Sequence, residues 1–549
     1  MTEHARRLLF GGIASGVLFA VAACGEGGAA SVRQAADNGP RVTLDGGGVR
    51  GVDDGEVLRF RGIPYGLPPV GELRWQPPQP VRKWTEVKDA TKSGPLCAQP
   101  DIVDPTKLVG AEDCLTVDVT VPKKVTAPRK PVMVWLHGGG FTAGAGHDYD
   151  PRRLAAEGDV IVVTVEFRLG AFGYLSLPGM TNGGTFGLQD QQAALRWVRR
   201  NAQAFGGDPD NVTLFGESGG GIAVCGQLTS PGGKGLFAKV IMQSGSCGTA
   251  LLPNAAGPGS PAVPFWRSLK EGHAASRTGA AQVGCPDEAK ALACLRARSA
   301  AELLGLTGYT AAATYGGRTL PVAPPKALQS GAFHRVPVMS GHTRDEALAF
   351  ASLFTFLGQP ITDQNLRAFF VQGFGDKADE VARRYRRADY PSAAQAWAAS
   401  YTDAIFACPH VRADHALARR TEVYAYEFAD ASAPPLFPSL PGFPAGASHG
   451  AELPYLFEVK DKPISYDGKP IPLTEAQRAV AGDMVAAWAA FAHSGRPSAW
   501  EKSWPRWRRG EGKAHLFTEK AGGTAVSTPA IDHACGFWDK IDLDGKITL

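Results

Sequence analysis

The chain has 549 residues, 44% hydrophobic and 20% charged, and 57 basic against 53 acidic side chains leave a formal charge of +4. Such proportions exclude a disordered, collagenous or multi-span membrane protein. The small surplus is not the clustered basic face that nucleic acid requires, so no nucleic-acid partner is expected. With 67 glycines and 41 prolines, the chain is expected to carry many turns and long surface loops.

Residues 1–23 read as an export signal. His4, Arg6 and Arg7 form a basic head, and Leu8 to Ala23 carry no charge. Val21-Ala22-Ala23-Cys24 resembles a bacterial lipobox, in which the cysteine is lipidated and becomes the new N-terminus. The uncharged run is short for a membrane-spanning helix. Residues 24–40, small and polar, read as a tether. The expected location is the cell envelope, held there by lipid on Cys24; the alternative is a soluble secreted protein cleaved after Ala30. Nine cysteines less Cys24 leave eight, an even number that fits disulfides in an exported chain. No Cys-x-x-Cys pair is present, so a zinc ribbon has no ligands.

Along the chain, Val42–Leu44 and Val57–Phe60 read as short strands between Gly-rich turns. Pro64 to Pro80 holds too much proline for a helix or a central strand. Pro131–Leu136, Val160–Val165 and Val212–Phe215 are apolar without alternation, as expected of strands covered on both faces in a parallel sheet. Between the last two, Leu188 to Phe205 places Leu188, Ala193, Ala194, Leu195, Trp197 and Val198 at helical spacing. Strand, helix, strand is the crossover unit of a doubly wound sheet. Lys239–Met242, Val336–Met339 and Glu422–Phe428 are further strand candidates, and Asp483–His493 is a helix. Leu251 to Ser330 is helix-prone without a clear period and reads as an insertion that shapes a pocket. The expected fold class is α/β, a large mostly parallel sheet with helices on both faces.

The most informative segment is Val212-Thr-Leu-Phe-Gly216-Glu217-Ser218-Gly219-Gly220-Gly221. Gly-x-Ser-x-Gly is weak evidence in a glycine-rich chain, but here it follows a buried strand and opens a stretch that can be helical. That setting forces the Ser218 hydroxyl outward on a strained turn, where a base can take its proton. Earlier, Trp135-Leu136-His137-Gly138-Gly139-Gly140-Phe141 follows another strand. Main-chain N–H groups there can stabilise a tetrahedral oxyanion, and the expected donors are Gly139, Gly140 and Gly219. A phosphate loop would need a different glycine spacing, and His137 has no second metal ligand at the usual spacing.

Phe60-Arg-Gly-Ile-Pro-Tyr65, Glu112-Asp-Cys-Leu115, the His137 loop, Phe167-Arg-Leu-Gly170, Gly187-Leu-Gln-Asp190, Phe205-Gly-Gly-Asp-Pro209 and Gly216 to Gly220 together resemble the type B carboxylesterase family. This is the branch of α/β hydrolases that also holds the cholinesterases, and the likeness covers about residues 42–540. It implies one α/β-hydrolase unit over residues 41–549, a mixed sheet of at least eight strands, and ester hydrolysis by a serine with no cofactor and no metal. It also implies a small ester and water as partners; membrane contact is expected only through the anchor, and the sequence leaves the oligomeric state open, with a monomer expected. The triad order is Ser, acid, His. The family's acid segment matches Gly341-His-Thr-Arg-Asp345-Glu346-Ala347, which assigns Glu346 with Asp345 as the alternative. The histidine segment matches Ser448-His449-Gly450-Ala451-Glu452-Leu453-Pro454, which assigns His449 as the base; His342 is the rival because of its place near Glu346.

The resemblance also implies the disulfides Cys97–Cys114, Cys285–Cys294 and Cys408–Cys535, leaving Cys225 and Cys247 as a fourth pair or as two buried thiols. No Trp lies between Cys97 and Cys114, so an aromatic choline site has no support. Gly219 stands where most members carry Ala, and Ala347 where most carry Gly, which requires φ below zero at that position. Glu217 is expected to be a buried carboxylate behind the reacting groups, outside the catalytic set. Hydrolysis of amides, carbamates or lipids by the same triad stays open. A non-catalytic binding module is the rival of another class, against which the intact Ser218, Glu346 and His449 argue.

Overall fold

The computed structural model describes residues 39–541 apart from 102–103, 125–128, 256, 437–442, 445, 460–468, 498–503, 509 and 521–524. The export signal, Cys24 and nearly all of the expected tether lie outside the described residues.

Eleven strands form the main sheet of the described residues. They are β1 (Val52–Asp54), β2 (Val57–Pro64), β3 (Thr116–Pro122), β4 (Lys130–Leu136), β5 (Ile161–Val165), β6 (Gly207–Glu217), β7 (Lys239–Gln243), β8 (Val338–Thr343), β9 (Val423–Phe428), β10 (Ala514–Phe517) and β11 (Val526–Ser527). Their order is β1-β2-β3-β5-β4-β6-β7-β8-β9-β10-β11. Pairs from β5 through β10 are parallel, and both flanks are antiparallel. The helices that matter for the site are α1 (Arg152–Gly158), α2 (Phe186–Asn201), α3 (Gly219–Thr229), α4 (Leu348–Phe356), α5 (Ala393–Thr402), α6 (Cys408–Leu417) and α7 (Glu475–Ser494).

The apolar strands are buried on both faces because successive side chains point to opposite sides. Val132, Val134 and Leu136 of β4 pack with Leu188, Leu195 and Trp197 of α2 and Ile222 and Leu228 of α3. Met133 and Trp135 of the same strand pack on the other side with Leu154 of α1 and Met484, Trp488 and Phe491 of α7. Helix α7 begins further upstream than periodicity alone places it. Thr474 caps it in a reciprocal box with Gln477, and Gly495 at φ 78° ends it. The described part of the Leu251–Ser330 insertion contains one long helix, Leu269–Gln282, with the short helices Ala291–Arg296 and Pro324–Ser330, a 3-10 segment Glu302–Tyr309 and two-stranded ribbons.

Register brings the site together. Gly216 pairs with Leu136 on one side and with Met242 on the other, and Gln243 pairs with Gly341. The carboxyl ends of β4, β6, β7 and β8 therefore lie at one level. The chain leaves β4 toward β5 on one side and returns on the other side at β6, so the strand order reverses at this point. In open α/β sheets the crevice outside such a reversal is where ligands bind. Arg168, just after β5, is locked to Asp190 of α2 by two hydrogen bonds of 2.7 Å, both side chains almost fully buried.

Candidate active site

Strand β6 ends at Glu217 and the chain turns at once into α3. Ser218, between them, has φ 54° and ψ −121°, a conformation that costs an ordinary residue about 1–3 kcal/mol. It persists because its N–H donates to the Gln243 carbonyl at 2.9 Å and its carbonyl accepts the Ile222 N–H at 3.0 Å. The turn is also tightly packed. A Cβ at Gly216 would stand 2.7 Å from the Leu136 carbonyl oxygen, and one at Gly220 would stand 2.0 Å from it. The Ser218 side remains half-exposed at the crevice.

The glycine loop leaves the end of β4. Gly139 and Gly140 have φ of 104° and 61°, and a Cβ at Gly139 would meet the Ala143 carbonyl oxygen at 2.0 Å. The loop is closed by the Thr142 and Ala143 N–H groups, which donate to the Gly139 carbonyl at 3.0 and 3.1 Å. His137 pins its start: the ring stacks on Phe167 at 4.4 Å and Nδ1 lies 2.8 Å from the Gly138 carbonyl oxygen. Among the described residues no protein acceptor takes the N–H of Gly139 or Gly140. Gly219 opens α3, so its N–H has no acceptor within the helix. A Cβ at Gly219 would lie 2.7 Å from the Gly140 nitrogen, which puts these N–H groups side by side.

Glu346 follows β8 and is fully buried. Its Oε1 accepts the Thr343 N–H at 3.0 Å, and its Oε2 accepts from His449 Nδ1 at 2.5 Å. The His449 N–H donates to the Glu346 carbonyl at 3.1 Å, so backbone and side chain both tie the two segments. Asp345, the alternative acid, instead accepts the Ala447 N–H at 3.1 Å and clamps the loop that carries His449. His342 points away from Glu346: its Nδ1 lies 3.0 Å from the Thr343 carbonyl oxygen and its ring lies 5.0 Å from that of His533. Ala347 has φ −77°, as the replacement of Gly requires.

The far nitrogen of His449, Nε2, lies 3.2 Å from Glu217 Oε1, beside the turn that bears Ser218. The ring packs beside two phenyl rings, Phe406 at 5.0 Å and Phe350 at 5.5 Å, which stack on each other at 6.1 Å. Burial alone would lower the His449 pKa, but the carboxylates of Glu217 and Glu346 reverse this and raise it to about 9. Burial raises Glu346 too, yet His449 beside it, by charge and by hydrogen bond, holds it below the usual carboxylate range. Glu217 and Glu452 are both pushed up by burial, and each is further raised by neighbouring carboxylates.

A strained serine, a buried carboxylate–imidazole pair and a loop of unpaired N–H groups at one sheet edge have the geometry of a serine hydrolase. The family model described as the carboxylesterase family matches residues 38–538. The chain belongs to the carboxylesterase family.

Para-nitrobenzyl esterase of Bacillus subtilis (strain 168) is 36% identical over 475 residues, covering 84% of this chain and 92% of that protein. Fumonisin B1 esterase of Sphingopyxis macrogoltabida is 35% identical over 491 residues, covering 85% and 84%. A solved PNB esterase structure superposes with a TM-score of 0.72 at 31% identity, over 91% of this chain and 99% of that one. This carboxylesterase is therefore an α/β hydrolase of the serine type that acts on carboxylic esters. Its eight described cysteines form four disulfides: Cys97–Cys114, Cys225–Cys247, Cys285–Cys294 and Cys408–Cys535. No described helix is long and apolar enough to cross a membrane.

Sequence reasoning left several parts of the site unread. Glu217 is buried, as the sequence leads one to expect, but its 3.2 Å approach to His449 Nε2 is not legible in the chain. Glu452, three residues after His449, is fully buried beside the same carboxylates, which its place in the histidine segment does not reveal. Phe350 and Phe406, which hold the imidazole ring, were not singled out. The one available signal was proximity in sequence: Glu217 adjoins Ser218, Glu452 follows His449 and Phe350 follows Glu346.

Proposed function

We propose that this carboxylesterase hydrolyses small carboxylic esters through Ser218, His449 and Glu346 by way of an acyl-enzyme. His449 Nε2 takes the Ser218 proton as Oγ attacks the ester carbonyl carbon. The carbonyl oxygen becomes an oxyanion and accepts from the N–H groups of Gly139, Gly140 and Gly219; each such donor is worth about 3 kcal/mol of barrier. The tetrahedral intermediate collapses, the C–O bond to the alcohol breaks, and His449 gives its proton to the leaving oxygen. Water then attacks the acyl carbon with His449 again as base, releasing the acid and restoring Ser218. Glu346 orients the ring and stabilises its cation. Ester, water and these side chains balance every proton and electron pair in the cycle.

The observation that carries this reading is the buried Glu346–His449 pair set at the same sheet edge as a strained, half-exposed Ser218. Ser218→Ala is expected to abolish hydrolysis of a p-nitrophenyl ester and labelling by a fluorophosphonate while the circular dichroism spectrum is retained. Wild-type turnover in that variant ends the assignment. We also propose that residues 41–549 fold as one monomeric unit tethered through residues 24–40 to lipid on Cys24. Cys24→Ser is expected to release the protein from membranes, and unchanged membrane association overturns the anchor.

A further inference from the structure

Behind the acid loop lies a second buried charged cluster that the ester chemistry does not use. Its centre is His533, from a C-terminal segment more than 80 residues beyond the catalytic histidine. His533 Nδ1 lies 2.6 Å from Asp403 Oδ1, and Nε2 lies 3.6 Å from Glu427 Oε1. All three side chains are buried. The Tyr385 O–H donates to the other Asp403 oxygen at 2.6 Å, and the Trp538 Nε1–H donates to the Tyr385 oxygen at 2.6 Å. Arg344 Nε donates to Glu427 Oε1 at 2.6 Å. The ring of His342 completes the surroundings at 5.0 Å. Burial alone favours neutral His533 and also pushes Asp403 up, but Asp403 and Glu427 raise His533 to about 10, which favours the cation between the two carboxyl groups.

Each partner of this cation leads to the catalytic pair. Asp403 opens a π-type turn, Asp403–Ala407, between α5 and α6. Such turns are rare and recur at functional sites. The same turn carries Phe406, whose ring lies 5.0 Å from that of His449. The residue before it, Thr402, accepts the Ala347 N–H through Oγ1 at 3.0 Å, directly after Glu346. Glu427 reaches the acid loop from the other side, through Arg344, two residues before Glu346. The disulfide Cys408–Cys535 closes the cluster, joining the residue after the π turn to the segment that bears His533.

We propose that His533 is a positioning residue for ester hydrolysis: its ion pairs with Asp403 and Glu427 fix the turn that presses Phe406 on His449 and the loop that presents Glu346. The proposal rests on the Ser218–His449–Glu346 reading. Without the cation, Asp403 and Glu427 become buried carboxylates short of a partner. They relax by taking protons or moving toward solvent, and the acid loop follows. Small displacements of a reacting constellation cost catalysis far more than binding.

The test is His533→Gln beside His533→Arg, assayed on a p-nitrophenyl ester with a Ser218→Ala control. In His533→Gln, kcat is expected to fall roughly ten- to a hundredfold with KM nearly unchanged. Its acid-limb midpoint is expected to fall by about one pH unit, because a displaced Glu346 no longer favours the His449 cation. His533→Arg keeps the charge and is expected to recover most of kcat; a cavity of about 250 Å³ lined by His533, Asp403 and Tyr385 leaves room for the guanidinium. If His533→Gln does not fold, Asp403→Asn is measured in its place, with the same loss of kcat and the same shift expected. Wild-type kcat and an unmoved pH profile in a folded variant, even with a lower melting temperature, overturn the proposal. Activity surviving in Ser218→Ala overturns the triad reading instead, whatever His533 does.

Discussion

Glu217→Gln removes a charge from beside the imidazole of His449, the proposed base, without changing the shape of the site. Glu217 Oε1 lies 3.2 Å from His449 Nε2. At an effective dielectric of about 20, two full charges at that distance attract by about 5 kcal/mol. Glu217 contributes less than this, because burial raises its own pKa and leaves it partly protonated. The net effect on His449 is a rise from 6.5 to about 9, which corresponds to about 3 kcal/mol in favour of the cation. Glu217 is the larger of the charges that raise it and Glu346 the next. Removing Glu217 therefore takes away the largest single attraction that favours the cation, and the midpoint is expected to fall by about one pH unit or more, each unit being about 1.4 kcal/mol. The sign follows from the proposed role: as base, only neutral His449 can accept the serine proton, so a raised pKa pushes the acid limb of the profile up, and the variant brings it down. The assay is kcat/KM for p-nitrophenyl acetate from about pH 5 to about pH 10, which reports the free enzyme's groups. An acid-limb midpoint that does not move in Glu217→Gln refutes the argument.

Gly219→Ala places a Cβ that would stand 2.7 Å from the Gly140 nitrogen; the glycine loop has to retreat, and kcat is expected to fall roughly ten- to a hundredfold. A kcat equal to or above wild type would show that the loop accommodates the methyl group. Arg168→Met leaves Asp190 buried without its partner and is expected to cost about 3–5 kcal/mol in urea unfolding, a loss under 1 kcal/mol being the contrary result. Replacing both cysteines of Cys408–Cys535, which closes a separation of 127 residues, is expected to cost about 5 kcal/mol. The same change at Cys285–Cys294, with a separation of 9, is expected to cost about 3 kcal/mol. Reversal of that order in denaturant melts counts against the loop-entropy account.

The residues proposed for the chemistry stand out in the chain because each lies inside a short contiguous signature: Ser218 among its glycines, Glu346 after Asp345, His449 before Gly450. Strands β4, β5, β6 and β7 are readable for a different reason, since burial on both faces leaves no charged residue in Val132–Leu136, Val160–Val165, Val212–Phe215 or Val240–Met242. Strand β3 escaped notice. Its Asp118 sits inside an otherwise apolar run, tolerated because the Gly62 N–H donates to it at 2.7 Å and the Ser93 O–H donates to it as well. Helix α4 also escaped, because Leu348–Phe356 is apolar all round and has no period to detect. The pairing of Asp403 with His533 spans 130 residues and leaves no local pattern. Only folding brings such a pair together, and no spacing rule in the chain announces it.

The shared level of the strand ends has an evolutionary consequence. Ser218, the glycine loop and Glu346 each hang from a different strand, so the segments connecting those strands are free to lengthen, shorten or change composition separately. The reaction geometry is stored in the sheet, while the entrance is written in the connections. A lineage built this way can drift from one ester to another by editing surface loops, with no need to reinvent the step that breaks the bond.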